Sequence, residues 1–115
     1  MDNQTVPIDS SSNSAEEPLY ILSLLNNELM SYSWKLSNNE YSIGRSSSNK
    51  IILDDITVSR EHALIKFRNK IPQINDLNST NGVYINNQLI KEKNLKSGDK
   101  IQIGKYFLLL TGVNK

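Results

Sequence analysis

Thr57-Val58-Ser59-Arg60-Glu61-His62 lies between two stretches that read as strands. Before it comes the apolar run Ile51-Ile52-Leu53. After it, Ala63 to Arg68 alternates apolar and polar side chains, the period-two pattern of a half-buried strand. Hydroxyl, guanidinium and imidazole groups therefore share one strand-to-strand connection. Gly44-Arg45-Ser46-Ser47-Ser48 and Asn78-Ser79-Thr80-Asn81-Gly82 repeat the arrangement. Three strand-bounded loops rich in hydroxyls, amides and arginine point to a site for an oxyanion.

Working outward, the same patterning recurs on both sides. Leu19 to Leu25 reads as a first strand, and the alternation in Met30 to Leu36 as a second. Ser37-Asn38-Asn39 makes a turn before a strand at Glu40 to Ile43. Lys50 to Leu53, Ala63 to Arg68 and Gln73 to Leu77 follow. Val83-Tyr84-Ile85 and Gln88-Leu89-Ile90 flank Asn86-Asn87, a two-residue hairpin turn in which asparagine tolerates positive φ. Ser97-Gly98-Asp99 turns into Lys100 to Ile103, which a Gly104-Lys105 hairpin joins to Tyr106 to Leu110. No helix-length window shows a 3.6-residue period. The fold class expected is all-β, an antiparallel two-sheet β-sandwich of about eleven short strands. Residues 1–18, rich in Ser, Asn and acidic side chains, form a disordered tail in this reading. Residues 19–115 form the one folded domain.

Composition narrows the function. The net charge of +1 hides an asymmetry: Asp2, Asp9, Glu16, Glu17 and Glu28 lie in residues 1–34 with no Lys or Arg, while all 13 basic residues follow. The domain is thus moderately cationic and favours an anionic partner. Its basic residues are scattered rather than gathered in a stripe with aromatics, which argues against nucleic acid. Without cysteine, and with His62 the sole histidine, neither a Cys-ligated zinc site nor a His-His metal motif can form. No metal and no cofactor are expected. No signal-peptide pattern opens the chain and no apolar run could span a bilayer, so a cytoplasmic protein with no membrane partner is expected, or a nuclear one in a eukaryote.

Gly44-Arg45, then Ser59-Arg60-Glu61-His62, then Ser79-Thr80-Asn81-Gly82, in that order and spacing, resembles the forkhead-associated (FHA) family. Leu95 to Gly104 resembles the family's closing pattern, so the resemblance runs from about Leu19 to Val113. It implies an eleven-strand sandwich whose loops at one end bind phosphothreonine peptides, a non-enzymatic adaptor in Ser/Thr kinase signalling. Position by position, Arg45, Ser59, Arg60, Thr80 and Asn81 fall on ligand-contacting places, and Gly44, His62 and Gly82 on loop-supporting ones. The partners implied are phosphothreonine-containing proteins and a Ser/Thr kinase. Two departures stand out: Asn78 where glycine is frequent, and Lys50 where an acidic residue is frequent, adding positive charge near the Gly44-Arg45 loop.

The residue types suit that role on their own. Phosphothreonine carries about −1.5 to −2 charges and three acceptor oxygens. Arginine's planar fork donates two parallel bonds to such oxygens, Ser59 and Thr80 offer short hydroxyl donors, and Asn81 can both donate and accept along a peptide backbone. Two competing classes are a hydrolase using Ser59, His62 and Asp76, and a sandwich that docks proteins without phosphate. The first lacks a nucleophile elbow, and no enzyme activity is expected. Thr5, in Thr5-Val6-Pro7-Ile8, is a candidate phosphorylation site through which the tail would occupy the chain's own site or that of a neighbouring copy.

Overall fold

The computed structural model describes residues 18–26 and 29–113, and among these eleven strands form two sheets. They are β1 Tyr20–Asn26, β2 Leu29–Leu36, β3 Tyr41–Gly44, β4 Ile51–Ile52, β5 Ala63–Arg68 and β6 Ile71–Asp76. β7 Val83–Ile85, β8 Gln88–Ile90, β9 Glu92–Asn94, β10 Lys100–Ile103 and β11 Tyr106–Gly112 complete the chain. The six-stranded sheet has the order β2-β1-β11-β10-β7-β8, the five-stranded sheet β9-β6-β5-β3-β4.

Alternation decides which side chains enter the core between them. In β10, Ile101 and Ile103 are buried while Lys100 is exposed; in β5, Ala63 and Ile65 are buried and Leu64 and Lys66 only partly so. Leu22, Leu36, Ile43, Ile74, Ile85, Leu108 and Leu110 join them. Burial of each of these Leu and Ile side chains contributes roughly 1.5–3 kcal/mol relative to an exposed one. The first and last of the described strands lie side by side inside the six-stranded sheet, Leu22 opposite Leu110. Val113 donates to the Leu19 carbonyl at 3.0 Å, so both ends of the sandwich chain sit at the pole opposite the three polar loops.

The sandwich is not wholly antiparallel. β3 and β4 run parallel, with Ile43 opposite Ile51 and Gly44 opposite Ile52. Such a pair ordinarily needs a long crossover. Here it is only two residues long, so the loop from Arg45 to Lys50 has little length to retrace. Asn49, buried, holds that loop by donating through Nδ2 to the carbonyls of Ser46 (2.9 Å) and Arg60 (2.8 Å).

Other differences lie at edges and turns. β9 was not expected because Glu92-Lys93-Asn94 has no apolar alternation; it is an edge strand paired with β6, where Gln73 donates to Asn94 and Asn75 to Glu92. β6 begins at Ile71, ahead of the expected Gln73, because Asn69 and Lys70 at φ 51° and 69° form a two-residue turn after β5. Asn86 and Asn87, at φ 50° and 72°, form the expected hairpin turn. Of the expected tail, residues 1–18, all but Pro18 lie outside the described residues, Thr5 among them; Pro18 is buried.

Candidate functional site

The loops after β3, before β5 and before β7 share one end of the sandwich, and backbone bonds stitch them together. Arg45 N–H donates to the Ser59 carbonyl (2.9 Å), Ser46 N–H to that of Arg60 (3.2 Å), and His62 N–H to that of Ile43 (2.9 Å). Gly44 is where the first two loops meet most closely. A Cβ there would collide with the Arg60 carbonyl oxygen, so only glycine lets the strands approach this far.

Arg45 is half-buried and directed by its own loop. Its Nε donates to the Val58 carbonyl at 3.0 Å, and among the described residues no acceptor is bonded to its terminal N–H groups. Arg60 is exposed, and its guanidinium makes no hydrogen bond or ion pair among them. Two cationic forks therefore have donors to offer at one pole.

His62 is wholly buried and holds two of the loops. Its Nε2 lies 2.8 Å from the Gly82 carbonyl and its Nδ1 accepts the Ser59 N–H at 3.0 Å. The carbonyl can only accept and the backbone N–H only donate, which puts the ring proton on Nε2. Ser59 Oγ accepts the Thr80 N–H at 3.0 Å, leaving its hydroxyl proton to donate. Asn81 Nδ2 donates to the Thr57 carbonyl at 2.9 Å and so spans the same two loops, its side chain otherwise exposed. Gly82 has φ +83° and Asn78 φ +61°, so asparagine adopts at 78 the left-handed conformation that glycine would supply.

These contacts disfavour the hydrolase alternative. A triad would join Ser59 Oγ to His62 and His62 to Asp76. His62 instead bonds two backbone groups. Asp76 Oδ1 accepts from the Ser79 hydroxyl (2.6 Å) and N–H (3.3 Å), and Ser79 Oγ in turn accepts the Gly82 N–H at 2.9 Å. Asp76 shapes a loop.

The expected placement of Lys50 is corrected. Its ammonium donates to the Glu40 carbonyl at 2.9 Å and stands 5.3 Å over the Tyr41 ring. That is the start of β3, a strand length from the Gly44-Arg45 turn, and the aromatic face draws the cation there.

Sequence reasoning missed a brace beneath the Thr57–His62 loop. Asp55 Oδ2 accepts from the Thr57 hydroxyl (2.7 Å) and N–H (3.0 Å), while its Oδ1 pairs with Lys105 Nζ at 3.2 Å. Lys105 N–H donates to Thr57 Oγ1 at 2.9 Å, tying the β10–β11 hairpin to the site. The Thr57 hydroxyl, then its N–H, then Lys105 outweigh desolvation and hold the Asp55 carboxyl down at about 2. The Asp-x-Thr spacing is a local turn signal that marks this cap; its long-range partner Lys105 carries none.

Residues 41–104 match the FHA domain, more than half of the chain. The chain belongs to the FHA-domain family. It is 43% identical over 72 residues to the glycogen accumulation regulator GarA of Mycobacterium tuberculosis, covering 62% of this chain and 44% of that protein. The oxoglutarate dehydrogenase inhibitor of Corynebacterium diphtheriae is 41% identical over 66 residues, covering 57% of this chain and 46% of its own length. This FHA chain thus spans less than half the length of these curated relatives. Mycobacterium tuberculosis EmbR in complex with a low-affinity phosphopeptide superimposes with a TM-score of 0.76 at 29% identity, over 84% of this chain and 25% of that one. An FHA domain solved in a study of phosphothreonine-dependent interactions superimposes with a TM-score of 0.77, also at 29% identity, over 84% of this chain and 99% of its own.

Proposed function

We propose that this FHA chain is a phosphothreonine-dependent binding module that acts by docking rather than catalysis. The observation that carries the proposal is the presence at one pole of two arginines, Arg45 and Arg60, whose terminal guanidinium N–H groups have no acceptor among the described residues, on loops locked by a buried histidine. Ser59 and Thr80 supply hydroxyl donors to the same phosphate, and Asn81 keeps Oδ1 for a peptide N–H. Charge-assisted bonds of this kind are worth roughly 1.5–3 kcal/mol each. Three or four, less association and ordering costs, leave an affinity near micromolar, about −8 kcal/mol. A groove of about 270 Å3 beside Thr80 and Asn81, walled by Tyr84, Leu89 and Ile90, is available to residues flanking the phosphothreonine.

The partners are proteins that a Ser/Thr kinase has phosphorylated on threonine. The two curated relatives are named as a regulator and an enzyme inhibitor, and regulation of a metabolic enzyme by stoichiometric docking fits a site of this kind. Phosphorylated Thr5 is a candidate ligand in cis or in trans. Titrating a phosphothreonine peptide library against unphosphorylated controls tests the proposal; equal binding of both sets overturns it. Phosphorylating Thr5 should lower affinity for such a peptide relative to the unmodified chain, and unchanged affinity at every protein concentration removes Thr5 from the account.

A further inference from the structure

The flank of the sandwich formed by the edge strands β2 and β4 carries an apolar groove of about 360 Å3, lined by Leu24, Tyr32, Trp34, Ile52, Leu53 and Tyr106 with Lys50 at its side. Its origin is a mismatch in strand length. Tyr32, Trp34 and Leu36 share one face of β2 by alternation. Leu36 is buried in the core, Trp34 half-buried, and Tyr32 68% exposed, because the opposing edge strand is the two-residue β4. Tyr32 and Trp34 stack at 6.4 Å, and Ile52 across from them is 46% exposed. A contiguous aromatic and aliphatic patch of this kind marks an interaction surface.

We propose that the groove is the docking site of this chain's own segment Val6-Pro7-Ile8-Asp9, in cis. Three observations select that occupant. Val6-Pro7-Ile8 is the only run of apolar residues before Pro18, and proline seats well against aromatic rings. Residues 1–17 carry Asp2, Asp9, Glu16 and Glu17 with no Lys or Arg, while Lys50 has no carboxylate partner among the described residues; Asp9 follows Ile8 directly. The tether also reaches. Tyr20 opens β1 and Leu24 lines the groove, a rise of about 13 Å along the strand. A coil from Ile8 to Tyr20 spans roughly 17–21 Å. A tether matched to its span gives an effective concentration of about millimolar, so even a weak segment occupies the groove much of the time. This inference concerns the unphosphorylated chain and does not depend on phosphate recognition.

Trp34 is the sole tryptophan, so its fluorescence reads the groove directly. In the full unphosphorylated chain, Ile8→Asp should shift Trp34 emission to longer wavelength and raise acrylamide quenching by up to about twofold, as a site at least half occupied is emptied. Lys50→Glu should do the same, and adding Asp9→Lys to it should restore protection. Ile8 and Asp9 lie outside the eleven described strands, so circular dichroism should stay unchanged. Emission and quenching equal to wild type in Ile8→Asp overturn the proposal. So does a difference that fades on dilution, which would place the segment on a second copy.

Discussion

Ser59 Oγ accepts the Thr80 backbone N–H at 3.0 Å, so one hydroxyl both ties two loops together and keeps its proton for a ligand. Ser59→Ala should therefore act twice. Losing the loop tie costs about 1 kcal/mol of stability. Peptide affinity should fall further than that, because the ligand loses a donor and Thr80 loses its anchor. Urea denaturation and phosphopeptide titration on the same sample check the two effects; an affinity unchanged within error would remove Ser59 from the site.

Arg45→Ala and Arg60→Ala should weaken phosphopeptide binding by about tenfold or more each, the worth of a charge-assisted bond. They should differ in stability. Arg45 donates to Val58, whereas Arg60 has no partner among the described residues, so only Arg45→Ala should lower the melting temperature. Binding by wild type should also weaken with added salt. A folded Arg45→Ala protein with full affinity would contradict the proposed site.

His62→Ala should cost roughly 3–5 kcal/mol, from two stranded backbone groups and a cavity. Chemical denaturation measures this directly. A loss below about 1 kcal/mol would mean that the histidine does not hold the loops.

Asp55 governs acid behaviour of the loop brace. Its carboxyl is held down at about 2, below its ordinary value, so its contribution is present above that ordinary value and fades as pH falls toward the folded one. Asp55→Asn should flatten the acid limb of a stability-against-pH curve between about pH 4 and 2. It should also loosen Thr57, whose carbonyl holds Asn81. Parallel acid limbs for the two proteins would refute the assignment.

Phosphothreonine should bind at least tenfold more tightly than phosphoserine in one peptide sequence. Burying the extra methyl gives only about 0.8 kcal/mol, roughly fourfold. The remainder must come from the restricted χ1 of the β-branched side chain, which presents the phosphate in fewer orientations. Paired titrations decide it, and equal affinities would contradict the proposed ligand class.

Much of the fold was legible because short strands with buried faces write their alternation into the sequence, as in Ala63 to Arg68 and Lys100 to Ile103. Positive-φ positions were legible at Asn78, Asn86 and Gly82 for the same reason: few residue types adopt them. What stayed hidden had no local signature. Lys70 takes φ 69° without being Gly or Asn, and β9 is polar throughout. The bracing of the site was equally silent. Asn49, Asp55 and Lys105 act across loops, and their hydrogen-bond partners are chosen by the packing of strands distant in sequence.

The pairing of β1 with β11 sets a timetable for synthesis. On the ribosome, β1 and β2 emerge early and can form their hairpin, but the neighbour on the other side of β1 is the last of the eleven described strands to be made. Until Gly112 clears the exit tunnel, the inner edge of β1 is unpaired and Leu22, opposite Trp34 on one side, lacks Leu110 on the other. Native pairing of β1 on that side therefore waits for β11 to be made, and such non-local strand contacts make for slow folding. During that interval the open edge of β1 is exposed to pairing with other chains.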